Sequence, residues 1–499
     1  MNSDSEHSAT TIKKLPTGIP GFDHIASGGL PKGRTTLVSG TAGSAKTVMA
    51  AQFLAEGILQ FDEAGIFITF EESASDLRRN FKSFGWDIEG WEKAGKWTFV
   101  DASPDPDMDT IVVGEYDLGG LMAQVGHAIE SAGATRLSMD SLGAVFNQFT
   151  ESANIRREMF RVAAYLKSRG ITALLTAERV HEYGDIARYG VEEFVADNVI
   201  ILRNVLDGEK RRRTMEILKF RGTGHQKGEY PFTIVDGEGL AFMPLSAMEL
   251  TQPSSDKRVS SGSSDLDEMC GGGFFRDSIT LISGATGTGK TLMATEFLAG
   301  GVDRGERCLL FAFEESQDQF TRNARGWGID VDAMEAKGLL KVVCSYPERT
   351  GIEDHLLEMR RLLLEFRPDR VAVDSLSALE RVSPTKAFRQ FVISLTSAIK
   401  EQGTAGMYTA ATPDLFGGSS VTESHVSTIT DSIILLRYVE TEGEMHRGIT
   451  VLKMRGSPHD KSVREFVIDG DGMHIGQPFE NVVGIISGQP QYRVEPQRD

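Results

Sequence analysis

Cysteine, basic charge and long apolar runs are what this chain has least of. Its 499 residues include three cysteines, Cys270, Cys308 and Cys344, widely separated and without C-x-x-C spacing. That excludes a disulfide-stapled fold and a zinc site of ordinary spacing, and reads as packed thiols in a reducing compartment. No stretch approaches the roughly 18 consecutive apolar residues of a membrane span. The opening Met1-Asn2-Ser3-Asp4-Ser5-Glu6 is polar and acidic rather than a signal-peptide core. The expectation is a soluble, cytoplasmic protein with no membrane partner. Acids outnumber bases, 71 Asp and Glu against 53 Lys and Arg, for a formal net charge of −18. That balance argues against a broad nucleic-acid surface, although a narrow basic channel is compatible with it. Hydrophobic residues make up 40 %, ordinary for a globular chain, and the length predicts two or three domains.

One octapeptide stands out: Gly284-Ala285-Thr286-Gly287-Thr288-Gly289-Lys290-Thr291. It follows a β-like run, Ser278 to Ser283, and precedes an apolar helix-like run, Leu292 to Leu298. Strand, glycine-rich turn with Lys-Thr, then helix is the context in which such a loop cradles a nucleoside triphosphate. Backbone N–H groups approach phosphate oxygens, Lys290 reaches the β- and γ-phosphates, and the Thr291 hydroxyl ligates Mg²⁺. The motif occurs a second time, as Gly40-Thr41-Ala42-Gly43-Ser44-Ala45-Lys46-Thr47 after the strand-like Arg34 to Ser39.

Further segments repeat in the same order. Phe67 to Ser73 recurs at Leu310 to Ser316, Leu137 to Leu142 at Val371 to Leu376, Ala196 to Arg203 at Thr430 to Arg437, and Leu218 to Gly222 at Leu452 to Gly456. These are two copies of one large domain. Between them, a polar serine-rich stretch reads as a linker. The reading is a disordered start over 1–14, a first domain over 15–247, a linker over 248–261, a second domain over 262–484 and a tail over 485–499. Each copy alternates apolar strands with helical patterns such as Arg156 to Arg169 and Ala387 to Lys400, followed late by added antiparallel hairpins. The fold class is therefore α/β, with mainly parallel sheets flanked by helices and ligands at the strands' carboxyl ends.

Asp140 and Asp374 end apolar strands, where a carboxylate joins the Mg²⁺ shell beside the phosphates. The pairs Glu71-Glu72 and Glu314-Glu315 also end apolar strands. Adjacent strand residues point oppositely, so one carboxylate of each pair would orient or deprotonate an attacking oxygen. Lys219 with Arg221, and Lys453 with Arg455, alternate along late strands at a domain edge, suggesting cations offered to a neighbouring subunit's γ-phosphate. The copies also differ. Ala45 stands where the second loop has Gly289; at positive φ its Cβ would cost about 1 kcal/mol or more. Ser427-Thr428 stand where the first copy has Glu193-Phe194, and alone they would read as polar loop residues.

From about Leu15 to about Gln489 the chain resembles the KaiC family, double-domain RecA-like ATPases of the cyanobacterial circadian clock. Ala187 to Phe194, Asp267 to Phe275, Ala387 to Val392 and Ser424 to Asp431 carry the resemblance beyond the phosphate loops. It implies two tandem RecA-like P-loop domains in a homohexamer, with a dodecamer as the alternative, binding ATP and Mg²⁺ between subunits. The first domain would be a slow ATPase. The second would be a serine/threonine autokinase and autophosphatase acting across the subunit interface on Ser427 and Thr428, with Thr422 nearby in the same cycle. By position, Glu71, Glu72, Glu314 and Glu315 match catalytic carboxylates, and Lys219, Arg221, Lys453 and Arg455 match interface cations. Arg381 and Arg389 match arginines near the second site, and His225 a residue of the first.

Departures from the family pattern are Ala45, Pro458 in place of tryptophan, a rewritten Val382 to Lys386 loop, and a short tail after Ile485. The tail argues against a KaiA partner, while Asp101 to Gly120 is the region for a KaiB-like one. Two other classes fit the core motifs: a RecA-like DNA-dependent ATPase or recombinase, which the acidic composition opposes, and a nucleotide-dependent signalling scaffold.

Overall fold

The computed structural model describes residues 12–102, 118–146, 152–188, 195–243, 254–412, 426–441, 443–480, 482–483, 485 and 491–492. The chain divides into two units, Met1–Ala247 and Met248–Asp499. Among the described residues each builds one nine-stranded sheet.

In the first unit the strands are β1 (Thr35–Gly40), β2 (Gly65–Thr69), β3 (Trp97–Asp101), β4 (Arg136–Asp140), β5 (Thr172–Glu178), β6 (Asn198–Asp207), β7 (Lys210–Phe220), β8 (Glu229–Val235) and β9 (Gly239–Phe242). Their order across the sheet is β3-β2-β4-β5-β1-β6-β7-β8-β9. The run from β3 to β6 is parallel; β6 to β9 is an antiparallel meander. The second unit repeats the arrangement with β10 (Ile279–Gly284), β11 (Cys308–Ala312), β12 (Leu340–Cys344), β13 (Arg370–Asp374), β14 (Ala405–Ala411), β15 (Ser432–Thr441), β16 (Glu444–Met454), β17 (Arg464–Asp469) and β18 (Gly472–Pro478). Its order, β12-β11-β13-β14-β10-β15-β16-β17-β18, is that of the first sheet.

The parallel strands are short and apolar because both faces are covered. β1 and β10 are buried along their whole length. Helices Lys46–Phe61 and Lys290–Val302 leave them and lie back on the sheet. Small residues such as Ala50, Ala51, Ala55, Ala294 and Gly301 let each approach its strands closely. A fully buried arginine locks each helix from below. Arg136 pairs with Glu63 at 2.6 Å and donates to the carbonyls of Pro16 and Phe53. Arg370 pairs with Glu306 at 2.5 Å and donates to the carbonyls of Ser260 and Phe297.

Several expectations shift. Glu71-Glu72 and Glu314-Glu315 lie in bends beyond β2 and β11, so strand alternation does not set their directions; local hydrogen bonds do. Arg221 and Arg455 fall one residue past β7 and β16, so of each Lys–Arg pair only Lys219 and Lys453 lie on the strand. The serine-rich stretch is folded at its end: Arg258–Val259 pairs with Phe274–Phe275, and Ser261 is buried. The loop from Val382 already turns into helix at Thr385. Thr422, Glu193-Phe194, most of Asp101 to Gly120 and most of the tail lie outside the described residues. Cys270 and Cys308 are buried free thiols, and Cys344 is half-buried. Burial pushes both Cys270 and Cys308 up to about 12. Among the described residues no helix is long and apolar enough to cross a membrane.

Candidate functional site

In each sheet the strand with helices beginning at its carboxyl end, β1 or β10, runs between two parallel neighbours, so its loop opens at the switch point of the topology. In the second unit the turn is tight at Gly284, where a Cβ would stand 2.6 Å from the Leu436 carbonyl oxygen. Gly287 and Gly289 take positive φ, 81° and 103°. The helix then starts at Lys290 with no side chain capping it. Its first N–H groups have no intrahelical acceptor, which makes an anion site. Thr288 Oγ1 and Lys290 Nζ both donate to the Ala285 carbonyl at 2.8 Å, curling the loop into a cradle. Burial lowers the Lys290 ammonium pKa, opposed by Asp374 and Glu314, so the cation is held where an anion would favour it.

Thr291 Oγ1 donates to Asp374 Oδ2 at 2.7 Å, and the other Asp374 oxygen accepts from Thr409. Burial raises the Asp374 pKa against those two hydrogen bonds. The first unit repeats each contact. Ser44 Oγ and Lys46 Nζ donate to the Thr41 carbonyl at 2.8 and 3.0 Å, Thr47 Oγ1 donates to Asp140 Oδ2 at 2.7 Å, and Thr176 donates to Asp140 Oδ1. Ala45 begins its helix at φ 72°, ψ 28°, in the left-handed region.

The four glutamates gather at this same end. Glu71 accepts from Ser141, and Glu72 from Asn80 at 3.0 Å. Glu314 pairs with Arg381 at 2.7 Å, and both Glu315 oxygens accept from the Asn323 amide at 3.3 and 3.1 Å. Burial raises the pKa of Glu72 and of Glu315, with nearby Asp140 and Asp374 respectively adding to it. Such carboxyls are suited to taking a proton. Glu182 escaped the sequence reading. It accepts from Thr41 Oγ1 at 2.6 Å and from the Asn204 N–H at 3.0 Å, beside the first loop. Nothing in its spacing marks it.

The remaining candidates sit elsewhere. Ser427 and Thr428 lie in a short 3₁₀ turn, Val426–Thr428. Lys453 Nζ donates to the carbonyls of Ser427 and Thr430 at 2.9 and 2.6 Å, and Arg455 to that of Thr428 at 3.0 Å. Asp431, just beyond, accepts from the Ile279 N–H at 2.9 Å and pairs with Lys400 at 2.7 Å. This turn is therefore fixed at the start of β10, while the phosphate loop leaves its end. In the first unit, Arg221 N donates to the Asp197 carbonyl at 3.2 Å, placing Arg221, with Lys219 just before it on β7, at the matching end. His225 packs edge-on against Phe220 there, its pKa lowered by burial and by Lys14. Arg389 is exposed on the helix Thr385–Glu401. The candidates thus divide between two ends: loops, glutamates, aspartates and Arg381 at one, and Lys219 and Arg221 of the first unit, or Lys453, Arg455 and the hydroxyl pair of the second, at the other.

The loop end fits a magnesium nucleotide: uncapped N–H groups, a half-buried ammonium, and a threonine hydroxyl beside a carboxylate. Among the described residues no group of three or more His, Cys, Asp or Glu could hold a metal alone.

Comparison with known proteins agrees with this geometry. A family described as "ATPase: KaiC" matches residues 15–247 and again 259–480. The chain is 64 % identical over 484 residues to the circadian clock protein KaiC3 of Synechocystis sp., covering 97 % of this chain and 96 % of that protein. It is 56 % identical over 490 residues to the circadian clock oscillator protein KaiC of Thermostichus vulcanus, covering 98 % and 94 %. It is 55 % identical over 489 residues to that of Synechococcus elongatus, covering 98 % and 93 %. With two tandem family matches, two sheets of RecA-like order and two phosphate loops, the chain belongs to the KaiC ATPase family.

Proposed function

We propose that the protein is a magnesium-dependent ATPase and serine/threonine autokinase of a timing system, whose second unit phosphorylates Ser427 and Thr428 of a neighbouring copy in a cytoplasmic ring. The observation that carries this reading is the separation of acceptor and loop. The acceptor turn is tied to Ile279 and the loop begins at Gly284, so β10 holds them about 17 Å apart at roughly 3.3 Å per residue. A hydroxyl at one end cannot meet a γ-phosphoryl group at the other end of its own strand. A ring in which each acceptor turn faces the next subunit's loop resolves this, as a hexamer or a pair of hexamers.

Bound Mg·ATP supplies the electrophilic γ-phosphoryl group and the ion that neutralises its charge. Thr291 and Asp374 would hold the ion's shell, and Lys290 and the uncapped helix would hold the phosphates. Glu315, its pKa raised by burial, accepts the proton of the incoming hydroxyl, while Glu314 is engaged with Arg381. Lys453 and Arg455, bonded to the backbone of the acceptor turn, arrive with it at the neighbour's phosphates. Positioning and charge stabilisation carry such a transfer. In the first unit Lys46, Thr47, Asp140, Glu71 and Glu72 serve water attack, with Lys219, Arg221 and His225 offered across the interface. Each new phosphate adds about −1.5 to −2 charges beside Lys453 and Arg455, which re-pairs the interface and gives partners, a KaiB-like protein among them, a state to read.

Mixing two variants tests the transfer. A Glu315→Gln chain keeps its acceptors, and a Ser427→Ala/Thr428→Ala chain keeps its loop and base. Phosphate on the Glu315→Gln chain only in the mixture supports transfer between subunits. Its absence there, while wild type is phosphorylated, contradicts it.

A further inference from the structure

Six residues into each phosphate-loop helix the two units carry different side chains in one place, Gln52 and Glu296. Each reaches the last hairpin of its sheet at a glycine of positive φ, Gly239 at 98° and Gly472 at 110°. A Cβ on Gly239 would stand 2.7 Å from Gln52 Oε1, and one on Gly472 would stand 2.5 Å from Glu296 Oε1. The first unit's amide uses both ends: Oε1 accepts from the Leu240 N–H at 2.7 Å, and Nε2 donates to the carbonyls of Glu238 and Leu240 at 3.2 Å each. Glu296 Oε1 accepts from the Met473 N–H at 2.7 Å. An ionised carboxylate has no proton with which to repeat the donations.

The hairpin matters to the loop because its side chains lie under Gly289. A Cβ there would come within 2.8 Å of Ile468 Cδ1 and 3.3 Å of Met473 Cε. A continuous path therefore runs from Glu296 through Met473 to the left-handed corner of the phosphate loop.

We propose that Glu296 is a positioning residue of the second phosphate loop, and that its protonation tightens the hairpin packed beneath Gly289. A neutral carboxyl has one proton to donate to a hairpin carbonyl, where the Gln52 amide donates twice; the anion can only accept, as it does from the Met473 N–H. Burial pushes the Glu296 carboxyl up to about 7, against the Met473 N–H and the pull of His474. His474 faces it from β18, with Nε2 3.0 Å from Asp469 Oδ1, and Asp469 also accepts from the Asp471 N–H at 2.9 Å. The Gly262 turn meets the helix at the Glu296 backbone carbonyl rather than at the carboxyl. A carboxyl whose pKa is higher in the closed than in the opened, solvated state favours the closed state at low pH, and that preference is lost as pH rises through about 7. The consequence for catalysis rests on Gly284 to Thr291 binding nucleotide; the clamp itself is measurable without it.

Amide hydrogen exchange of the full-length protein without nucleotide, followed in peptides covering 284–296 and 466–475, tests this. After correction for intrinsic chemistry, exchange in wild type should rise about tenfold from pH 6 to pH 8. The rise should vanish in Glu296→Gln and persist in His474→Asn. A flat wild-type profile, an unchanged rise in Glu296→Gln, or its loss in His474→Asn alone would overturn the proposal.

Discussion

Ala45 occupies, at φ 72°, the left-handed corner that Gly289 occupies in the second unit at φ 103°. Relief of that strain is worth about 1–2 kcal/mol, and the added chain entropy of glycine costs about 0.5–1 kcal/mol. Ala45→Gly is therefore expected to stabilise the first unit by about 0.5–1 kcal/mol and to strengthen its nucleotide binding, read by thermal unfolding and titration. Gly289→Ala should do the opposite and by more, because its Cβ also meets Ile468. An unchanged stability and affinity in Ala45→Gly would show the corner to be unstrained.

Arg370 carries a second prediction. It is wholly buried, and its loss leaves Glu306 and the carbonyls of Ser260 and Phe297 without their donor. Arg370→Met should destabilise the second unit by about 3 kcal/mol, with the first unit's urea transition unmoved. Arg136→Met should do the same to the first unit.

The acceptor turn gives a third. Lys453 donates twice to it, and hydrogen bonds from a charged donor are worth about 1.5–3 kcal/mol each. Lys453→Met should speed amide exchange across 426–430 and slow phosphorylation of Ser427 and Thr428 together. Fast exchange with unchanged phosphorylation would show that the turn's fixed shape does not matter to transfer.

The pH profile of autophosphorylation gives a fourth. Glu315 must be ionised to accept a proton, and burial raises its pKa. Activity is therefore lost as pH falls through that raised value. The Asn323 amide stabilises the anion, so Asn323→Ala should move the acidic limb to higher pH. A limb that stays in place would remove Glu315 as the base.

The phosphate loops, the sheets' fold class and the duplication were legible in the sequence because strand, glycine turn and helix are local patterns and each was written twice. Asp140 and Asp374 were legible for the same reason, closing strands at matching positions. Other contacts depend on packing between distant segments. Arg136 and Glu63, the Thr41–Glu182 bond, and Glu296 against Met473 have no spacing signature. Glu71 and Glu72 take different partners, Ser141 and Asn80, because a bend rather than strand alternation sets their directions. The division of the site between two ends of β10 follows from sheet order, which motif spacing does not give.

Under the proposed function, the second loop phosphorylates its own kind at one turn. Incubating wild type and Glu315→Gln with Mg·ATP, then mapping phosphosites by mass spectrometry, tests it most directly. Phosphate is expected on Ser427 and Thr428 in wild type and should be nearly absent in Glu315→Gln. Wild-type protein that hydrolyses ATP but carries no phosphate at either residue would contradict it.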